Sequence, residues 1–418
     1  MERMFEVAAG IDVHRDQLVV SVRHRHAGPK DGLETRSFET FHDSLMAVTK
    51  WLEEEGVEVV GLESTGVYWQ PVVRAIQHAL PKVVVWLVNP AQVRKVPGRK
   101  TDVSDSQWLS KLVMYGLVSP SFLASVELQE LRKLTRHRTK LTADQTRYKN
   151  RILKQLESDG IKLATVCSDV LGKTGRALLD AMLRRDTLDE QAIEKIALGK
   201  LRKKIPYLLR AVHCPLTPST IVVLTQLLRR FDDLSNDISH FECEIRTLLA
   251  PMTADVQRLI QIPGIDEVAA AGIVAEVGTD MSVFPSAKHL ASWGGLSPGS
   301  EESAGKSKKA PTRKGNKYFR TILVQVATCA SNTKGTFWQR KFRRLARLGP
   351  KKAAVALARS LACVIFHMLA NRADYREPDS VPPPPHRIRT RVTALTRQLE
   401  ALGFKVALSE APAQVPIS

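Results

Sequence analysis

Residues 5–23 read FEVAAGIDVHRDQLVVSVR. Two apolar runs, Phe5–Val13 and Gln17–Arg23, flank a short polar turn, His14–Asp16, and this pattern predicts a β-hairpin. Working outward, Leu33–Phe38 predicts a third strand. Asp43–Glu55 carries Leu45, Met46, Val48 and Leu52 at helical spacing and is stopped by Gly56. Val57–Glu63 is a short apolar run that ends in an acid, and Val67–Ala79 has helical spacing. Lys82–Val88 contains the β-branched run VVVWLV, typical of a central strand. Asp102–Tyr115 predicts a helix with Trp108, Leu109, Leu112 and Val113 on its apolar side. The order β-β-β-α-β-α-β-α predicts a mixed sheet with helices on its faces, an α/β domain over residues 1–125.

The chain then changes character. From Val126 to about Gly160 there is no Gly or Pro, and Leu128, Leu131, Leu134, Leu141, Ile152, Leu153 and Leu156 form an apolar stripe. Between Arg132 and Lys154 lie nine Lys/Arg against one Asp, so one long basic helix is expected. Residues 174–250 also read as helical, with breaks near Pro206 and Pro215–Pro218. Long antiparallel helices over 126–253, paired either between subunits as a coiled coil or within one subunit as a bundle, fit this region. A third segment, 254–345, begins with helix, tight turn and helix around Gln261-Ile262-Pro263-Gly264-Ile265. Its remainder holds a polar stretch rich in Gly, Ser and Lys, then further helices. Residues 346–418 are expected to form a C-terminal helical extension and tail, with a stiff Pro382–Pro385 linker.

The chain has 418 residues, 62 Lys+Arg against 43 Asp+Glu and a formal charge of +19. Apolar residues make up 44% and charged residues 25%, which excludes a globally disordered chain. No uninterrupted apolar run approaches the roughly 18–20 residues of a membrane span. The segment MERMFEVAAGIDVHRD lacks the basic-then-apolar plan of a signal peptide, so a cytoplasmic setting with no membrane partner is expected. Cys167, Cys214, Cys243, Cys329 and Cys363 lie far apart without a CxxC pair, which argues against a zinc site or a disulfide framework. The basic excess favours a polyanion such as nucleic acid.

Four acids stand out by placement. Asp12 sits at the end of the first strand in GIDVH, and Glu63 ends the fourth in GLESTG. Asp102 and Asp105 begin a helix in KTDVSDS, and their i,i+3 spacing puts both on one helical face. Neighbouring strands can bring Asp12 and Glu63 beside that helix start. Such a cluster repels itself when empty, and divalent cations remove the conflict. Magnesium prefers carboxylate oxygens with water and substrate phosphate. Two ions about 4 Å apart can serve both the attacking and the leaving oxygen of a phosphoryl transfer. Each acid also has a plainer reading, as a helix cap for Asp102 or a solvated strand end for Glu63.

Residues 299–320 read GSEESAGKSKKAPTRKGNKYFR, with seven Lys/Arg and no acid between Ser303 and Arg320. A serine in a small-residue turn can approach a phosphate, but it is a poor nucleophile until something takes its proton. Lys306, Arg313, Lys314 and Arg320 could neutralise phosphoryl oxygens, and Asn316 sits among them. By chemistry alone Ser300, Ser303, Ser307 and Thr312 are equally available, and a solvated basic loop is the alternative. The Pro263-Gly264 turn resembles a helix-hairpin-helix, whose backbone N–H groups hold phosphate, although a plain helical turn would look the same. On the long helix, Arg132, Arg136, Arg138, Lys140, Arg147 and Lys149 suit phosphate contacts, or else form a solvated face. Arg340, Lys341, Arg343, Arg344 and Arg347 could add more.

GIDVH, LESTG, NPAQVRKVPGRKTDVSDS, LIQIPGI and GLSPGSEESAGKSKKAPTRKGNKYFR, in this order, resemble the DEDD transposases of bacterial insertion sequences, the "one-ten" group of bridge-RNA-guided recombinases. The resemblance spans roughly residues 5–345. It implies an RNase-H-like N-terminal domain related to Holliday-junction resolvases, which agrees with the strand order read above. It implies that Asp12, Glu63, Asp102 and Asp105 form a magnesium site, and that a serine in a mostly helical transposase domain forms a 5′-phosphoserine link to DNA. By its position after GLSP that serine is Ser303, with Ser300 as the fallback; this chain has Ser-Ala-Gly where the family usually shows Ser-Ser-Gly. It further implies donor and target DNA, a noncoding bridge RNA, a homodimer assembling into a tetramer, and a place at the bacterial nucleoid.

Three activities follow from these readings. A recombinase would cleave and rejoin DNA through phosphoserine, conserving bond energy, in keeping with the absence of a GxxxxGK[ST] motif. A junction-resolving endonuclease would use the same acids to activate water. A scaffold without catalysis would bind nucleic acid through charge alone.

Overall fold

The computed structural model describes residues 4–25, 32–64, 66–93, 96, 105–299, 301–303, 306–308, 312, 314–377 and 385–408. Asp102, Ser300 and Arg313 lie outside the described residues, and for Ser303 and Lys306 only the backbone is described. The chain forms two compact units, one of residues 1–253 with 271–285 and one of residues 254–270 with 286–418.

In the first unit, β1 (Val7–Val13), β2 (Gln17–His24) and β3 (Gly32–Glu39) form an antiparallel meander. Next come α1 (His42–Glu54), β4 (Val59–Glu63), α2 (Trp69–Ala79), β5 (Val84–Val88), the short α3 (Pro90–Val93) and α4 (Asp105–Met114). The sheet order is β3-β2-β1-β4-β5, with β4 parallel to β1 and β5 parallel to β4. Alternation along the strands explains the layers. Ala9, Ile11, Val60 and Leu62 are buried with Leu45, Leu52, Val73 and Ile76 of α1 and α2. Ala8 and Val59, on the opposite face, are buried with Trp108, Leu109, Leu112 and Val113 of α4. The mixed α/β sheet expected from the sequence is present, with the expected elements close to their expected bounds.

The middle of the chain is helical: α5 (Val126–Ser158), α6 (Leu163–Val166), α7 (Lys173–Arg184), α8 (Glu190–Ile196), α9 (Ile205–Val212) and α10 (Pro218–Leu249). Both expected breaks are helix starts. Pro206 lies in the first turn of α9 and Pro218 opens α10, where a missing N–H costs no hydrogen bond. Thr217 caps α10 through its hydroxyl. α5 and α10 run antiparallel, because Arg138 pairs with Glu242 while Gln145 donates to Ser235 Oγ at 2.8 Å. The two helices pack against each other within the chain. The distal half of the pair is buried through Ile152, Leu156, Leu224 and Leu228 together with Leu178, Leu179 and Leu208.

The second unit contains α11 (Thr253–Ile260), the first residues of α12 (Glu267–Val277), α13 (Ala287–Trp293), β6 (Glu301–Ser303), β7 (Lys306–Lys308), α14 (Lys317–Asn332), α15 (Phe337–Leu345), α16 (Pro350–Ala370) and α17 (Pro385–Ala401). α16 packs against α13, α14 and α15, so the segment after residue 345 contributes to the same bundle as α14. Among the described residues α16 is the one helix long and apolar enough to cross a membrane, and half of its apolar stretch is buried inside this unit. Arg359 interrupts that stretch. Ala353, Leu357, Leu361 and Ile365 form its buried stripe, and core packing accounts for the composition.

Candidate active site

Two glycines place the first set of candidate residues. An added Cβ at Gly10 would sit 2.1 Å from the Ser106 carbonyl oxygen and 2.4 Å from the Ser110 nitrogen. At Gly61 it would meet Val113 Cγ2 at 2.5 Å. Neither site has room for a side chain, so α4 lies directly on β1 and β4. Asp12 and Glu63 stand two residues beyond these glycines and therefore share the face on which α4 lies. They are also neighbours, because the β1–β4 register ends at Ile11 opposite Leu62 and each acid is the next residue on its strand.

The direction of α4 brings in a third acid. Ser106 and Ser110 lie over Gly10, whereas the Met114 carbonyl, at the far end of the helix, accepts from Met4 N at 2.9 Å. α4 thus runs antiparallel to β1, and its first residue, Asp105, belongs to the sheet end that carries Asp12 and Glu63. Asp105 is exposed and Glu63 is half-buried. The Asp12 carboxylate, 29% exposed, has its Oδ2 3.2 Å from His14 Nε2. Among the described residues no three His, Cys, Asp or Glu groups lie close enough together to hold a metal ion. The described acids offer hard oxygen donors of the kind a divalent cation takes.

The residues that hold α4 in place were not legible from the sequence. Ser21 and Ser106, both fully buried, share a hydrogen bond of 2.8 Å, and Ser21 also bonds Thr35 Oγ1 at 2.9 Å. Arg23 donates to Ser110 Oγ and to the Gln107 carbonyl, each at 3.3 Å. The one available signal was a serine inside the apolar run LVVSVR.

The serine segment folds as a hairpin. Ser303 is paired with Lys306 across a two-residue connection, Glu301 with Lys308, and a bridge between Pro298 and Thr312 continues the pairing. The base of the hairpin is fixed by residues first read as phosphate ligands. Arg320 donates to Thr312 Oγ1 at 2.8 Å and to the Gly295 carbonyl at 3.1 Å. The Asn316 side chain caps α14 by accepting from Tyr318 N and Phe319 N, both at 3.0 Å. Lys314 is exposed. Gly264, in the turn between α11 and α12, has φ +93, and a Cβ there would lie 2.7 Å from Ala330 N of α14. Close packing and backbone conformation account for this glycine.

Two family models match this architecture. One, described as DEDD transposase, matches residues 9–159; the other, described as transposase of the IS116/IS110/IS902 family, matches residues 256–343. Together they cover more than half of the chain. The chain belongs to the IS116/IS110/IS902 transposases. It is 24% identical over 327 residues to a probable family 20 transposase of Pseudomonas aeruginosa, covering 76% of this chain and 86% of that one. It is 27% identical over 232 residues to the transposase for insertion sequence element IS1111A of Coxiella burnetii, covering 53% and 62%. A putative transposase of Sinorhizobium fredii is 24% identical over 338 residues, covering 79% and 77%. The transposase is thus an enzyme that acts on DNA, and its family generally uses a divalent metal.

In this transposase most of the named cations on the basic helix α5 have partners within the chain. Arg136 makes a two-pronged pair with Glu276, both bonds at 2.7 Å, and Glu276 is only 2% exposed. Arg132 donates to the carbonyls of Ala275, at 2.8 Å, and Glu276. Burial pulls its pKa down to about 10, with Glu276 opposing the shift. Arg138 pairs with Glu242 at 2.6 Å. Arg147 pairs with Asp144, and Lys149 with Asp169 at 2.8 Å. Lys140 is exposed. Most of the charge on this helix is therefore matched within the protein.

Proposed function

We propose that this transposase cleaves and rejoins DNA strands through a covalent serine intermediate, with magnesium held by Asp12, Glu63, Asp102 and Asp105. The observation that supports the reading most is the in-register placement of Asp12 and Glu63 beside the start of α4, enforced by Gly10 and Gly61. The β3-β2-β1-β4-β5 order supports an RNase-H-like reading of the domain. When bound, magnesium supplies Lewis-acid stabilisation of the charge that builds on the phosphoryl and leaving oxygens.

The remaining chemistry belongs to the chain. Ser303 Oγ attacks the scissile phosphorus. A phosphoserine ester forms as the bond to the 3′ oxygen breaks, and the serine proton is balanced by the one the leaving 3′ oxygen takes up. A second 3′-hydroxyl then attacks the ester, releases Ser303 and seals the exchanged strands. Lys306 and Lys314 would offset phosphoryl charge. The β6–β7 register, which sets Lys306 directly across from Ser303, supports this assignment.

The family resemblance supports guidance by a bridge RNA and work as a homodimer that assembles into a tetramer. The seven-residue spacing of contacts on both α5 and α10 supports a coiled-coil reading of that pair. The test is a denaturing gel of the full chain incubated with magnesium and its own element-end DNA. We expect a denaturant-resistant protein–DNA adduct that maps to Ser303 and is absent in Ser303→Ala. Cleavage by Ser303→Ala without any adduct would overturn the serine mechanism and favour an endonuclease that uses water.

A further inference from the structure

From Ser303 to Ala373 the chain holds 17 Lys+Arg and not one Asp or Glu, where an even spread of the 43 acids would place about seven. The hairpin region accounts for part of this excess. Seven of the ten that follow Arg320 lie on α15, the turn after it and the first turn of α16. On α15 and the turn after it, Arg340, Arg343, Arg344 and Arg347 are spaced i, i+3, i+4 and i+7, which puts them on one face about 10 Å long. The other face is anchored. Trp338 is fully buried, and the Lys341 ammonium lies 5.3 Å from the Phe337 ring centre and 5.9 Å from that of Trp338. Arg340 is tied to the Gly335 carbonyl at 2.8 Å. Arg343, Arg344 and Arg347 are exposed, as are Lys351 and Lys352 in the first turn of α16, and none of the five forms an ion pair with a described residue.

The first acids after the gap have partners other than these five cations, and one of them meets the start of α15. Asp374 accepts from Gln261 Nε2 at 3.1 Å, while Glu377 accepts from the Phe337 backbone N–H and from the Tyr375 hydroxyl. Lys351 and Lys352 stand at a helix N-terminus, where the helix dipole disfavours cations. Their charge is thus unfavourable to the fold itself and calls for an anion from outside. Guanidinium groups match phosphate oxygens two at a time.

We infer that the arginine face of α15, extended by Lys351 and Lys352, is a docking surface for the phosphate backbone of duplex DNA. It grips without reading sequence, because cationic contacts to phosphate carry no base information. The choice of DNA over RNA rests on the make-up of the face. Proteins recognise RNA duplexes partly through 2′-hydroxyls, and the neutral side chains next to these cations, Gln339 and Thr336, are taken up at the helix start, where Gln339 Oε1 accepts from Gly335 N at 3.3 Å and Thr336 Oγ1 from Gln339 N at 3.2 Å. The surface is independent of the carboxylates and of Ser303, so it can fail while the cleavage reading stands, and the reverse.

The test is fluorescence anisotropy of the full chain with a labelled duplex DNA of arbitrary sequence, in EDTA so that no cleavage occurs, across a range of salt. Each lost phosphate contact should lower the slope of log affinity against log salt by about 0.9. For Arg343→Ala/Arg344→Ala/Arg347→Ala we expect a fall in slope of roughly two to three and a weakening of tenfold or more near 0.1 M salt. Lys351→Ala/Lys352→Ala guards against a folding artefact. It should lower the slope by nearly two while raising the thermal midpoint, since it removes cations from a helix N-terminus. Unchanged slopes in both variants would overturn the inference. So would losses seen with an RNA duplex of the same sequence and not with the DNA duplex.

Discussion

Gly10 decides whether α4 can lie on the sheet, and so whether Asp105 can stand at the same sheet end as Asp12 and Glu63. Its missing Cβ is replaced by backbone atoms of α4, which cannot rotate away as a side chain would. Gly10→Ala should therefore cost about 3 kcal/mol or more, at the upper end of overpacking penalties. The check is thermal denaturation of the full chain, where we expect the midpoint of the first unit to fall by roughly 6 °C or more. An unchanged midpoint would mean that α4 does not rest on this strand. Gly264 makes the same kind of contact with α14 and has a positive φ besides. Gly264→Ala should destabilise the second unit by about 2 kcal/mol through strain and contact together. These two glycines were visible in the sequence only as members of motifs. Their reason, a helix backbone within 3 Å, is long-range and has no local signature.

At the scale of elements, the buried Glu276 joins α5 to the end of α12. Two guanidinium groups converge on it, and removing one partner of a buried ionic cluster leaves charge without compensation. Glu276→Gln should cost about 3 kcal/mol, read as a fall in thermal midpoint of roughly 6–12 °C. Arg138→Ala, which breaks a more exposed pair with Glu242, should cost about 1 kcal/mol or less. Equal effects of the two would show that burial of Glu276 does not set the strength of the clamp. The length and bounds of α5 were legible because no Gly or Pro interrupts it. Its role was not, since a run of Arg and Lys looks the same whether the matching acids lie in the solvent's ions, in nucleic acid or 140 residues away at Glu276. The strands were legible for the opposite reason: β1, β2, β4 and β5 are short apolar runs with clear polar punctuation.

For the whole molecule, charge is divided between two uses. On α5 it is matched by acids of the same chain, and it stabilises the fold. From Ser303 to Ala373 it has no acid within the segment, and it faces outward at Arg343, Arg344 and Arg347. The net charge of +19 alone could not separate these uses. The membrane-length apolar helix α16 was equally hidden, because Arg359 breaks the run that a sequence window counts. The candidate carboxylates were picked out by their positions at element ends, and the β1–β4 register puts two of them side by side. The measurement that bears most directly on them is magnesium-dependent strand cleavage of element-end DNA by the full chain, compared with Asp12→Asn and Glu63→Gln of matched thermal midpoint. We expect each substitution to lower cleavage by about a hundredfold or more while DNA binding in EDTA is unchanged. Cleavage at the unsubstituted rate by either variant would contradict the assignment of the metal site to this end of the sheet.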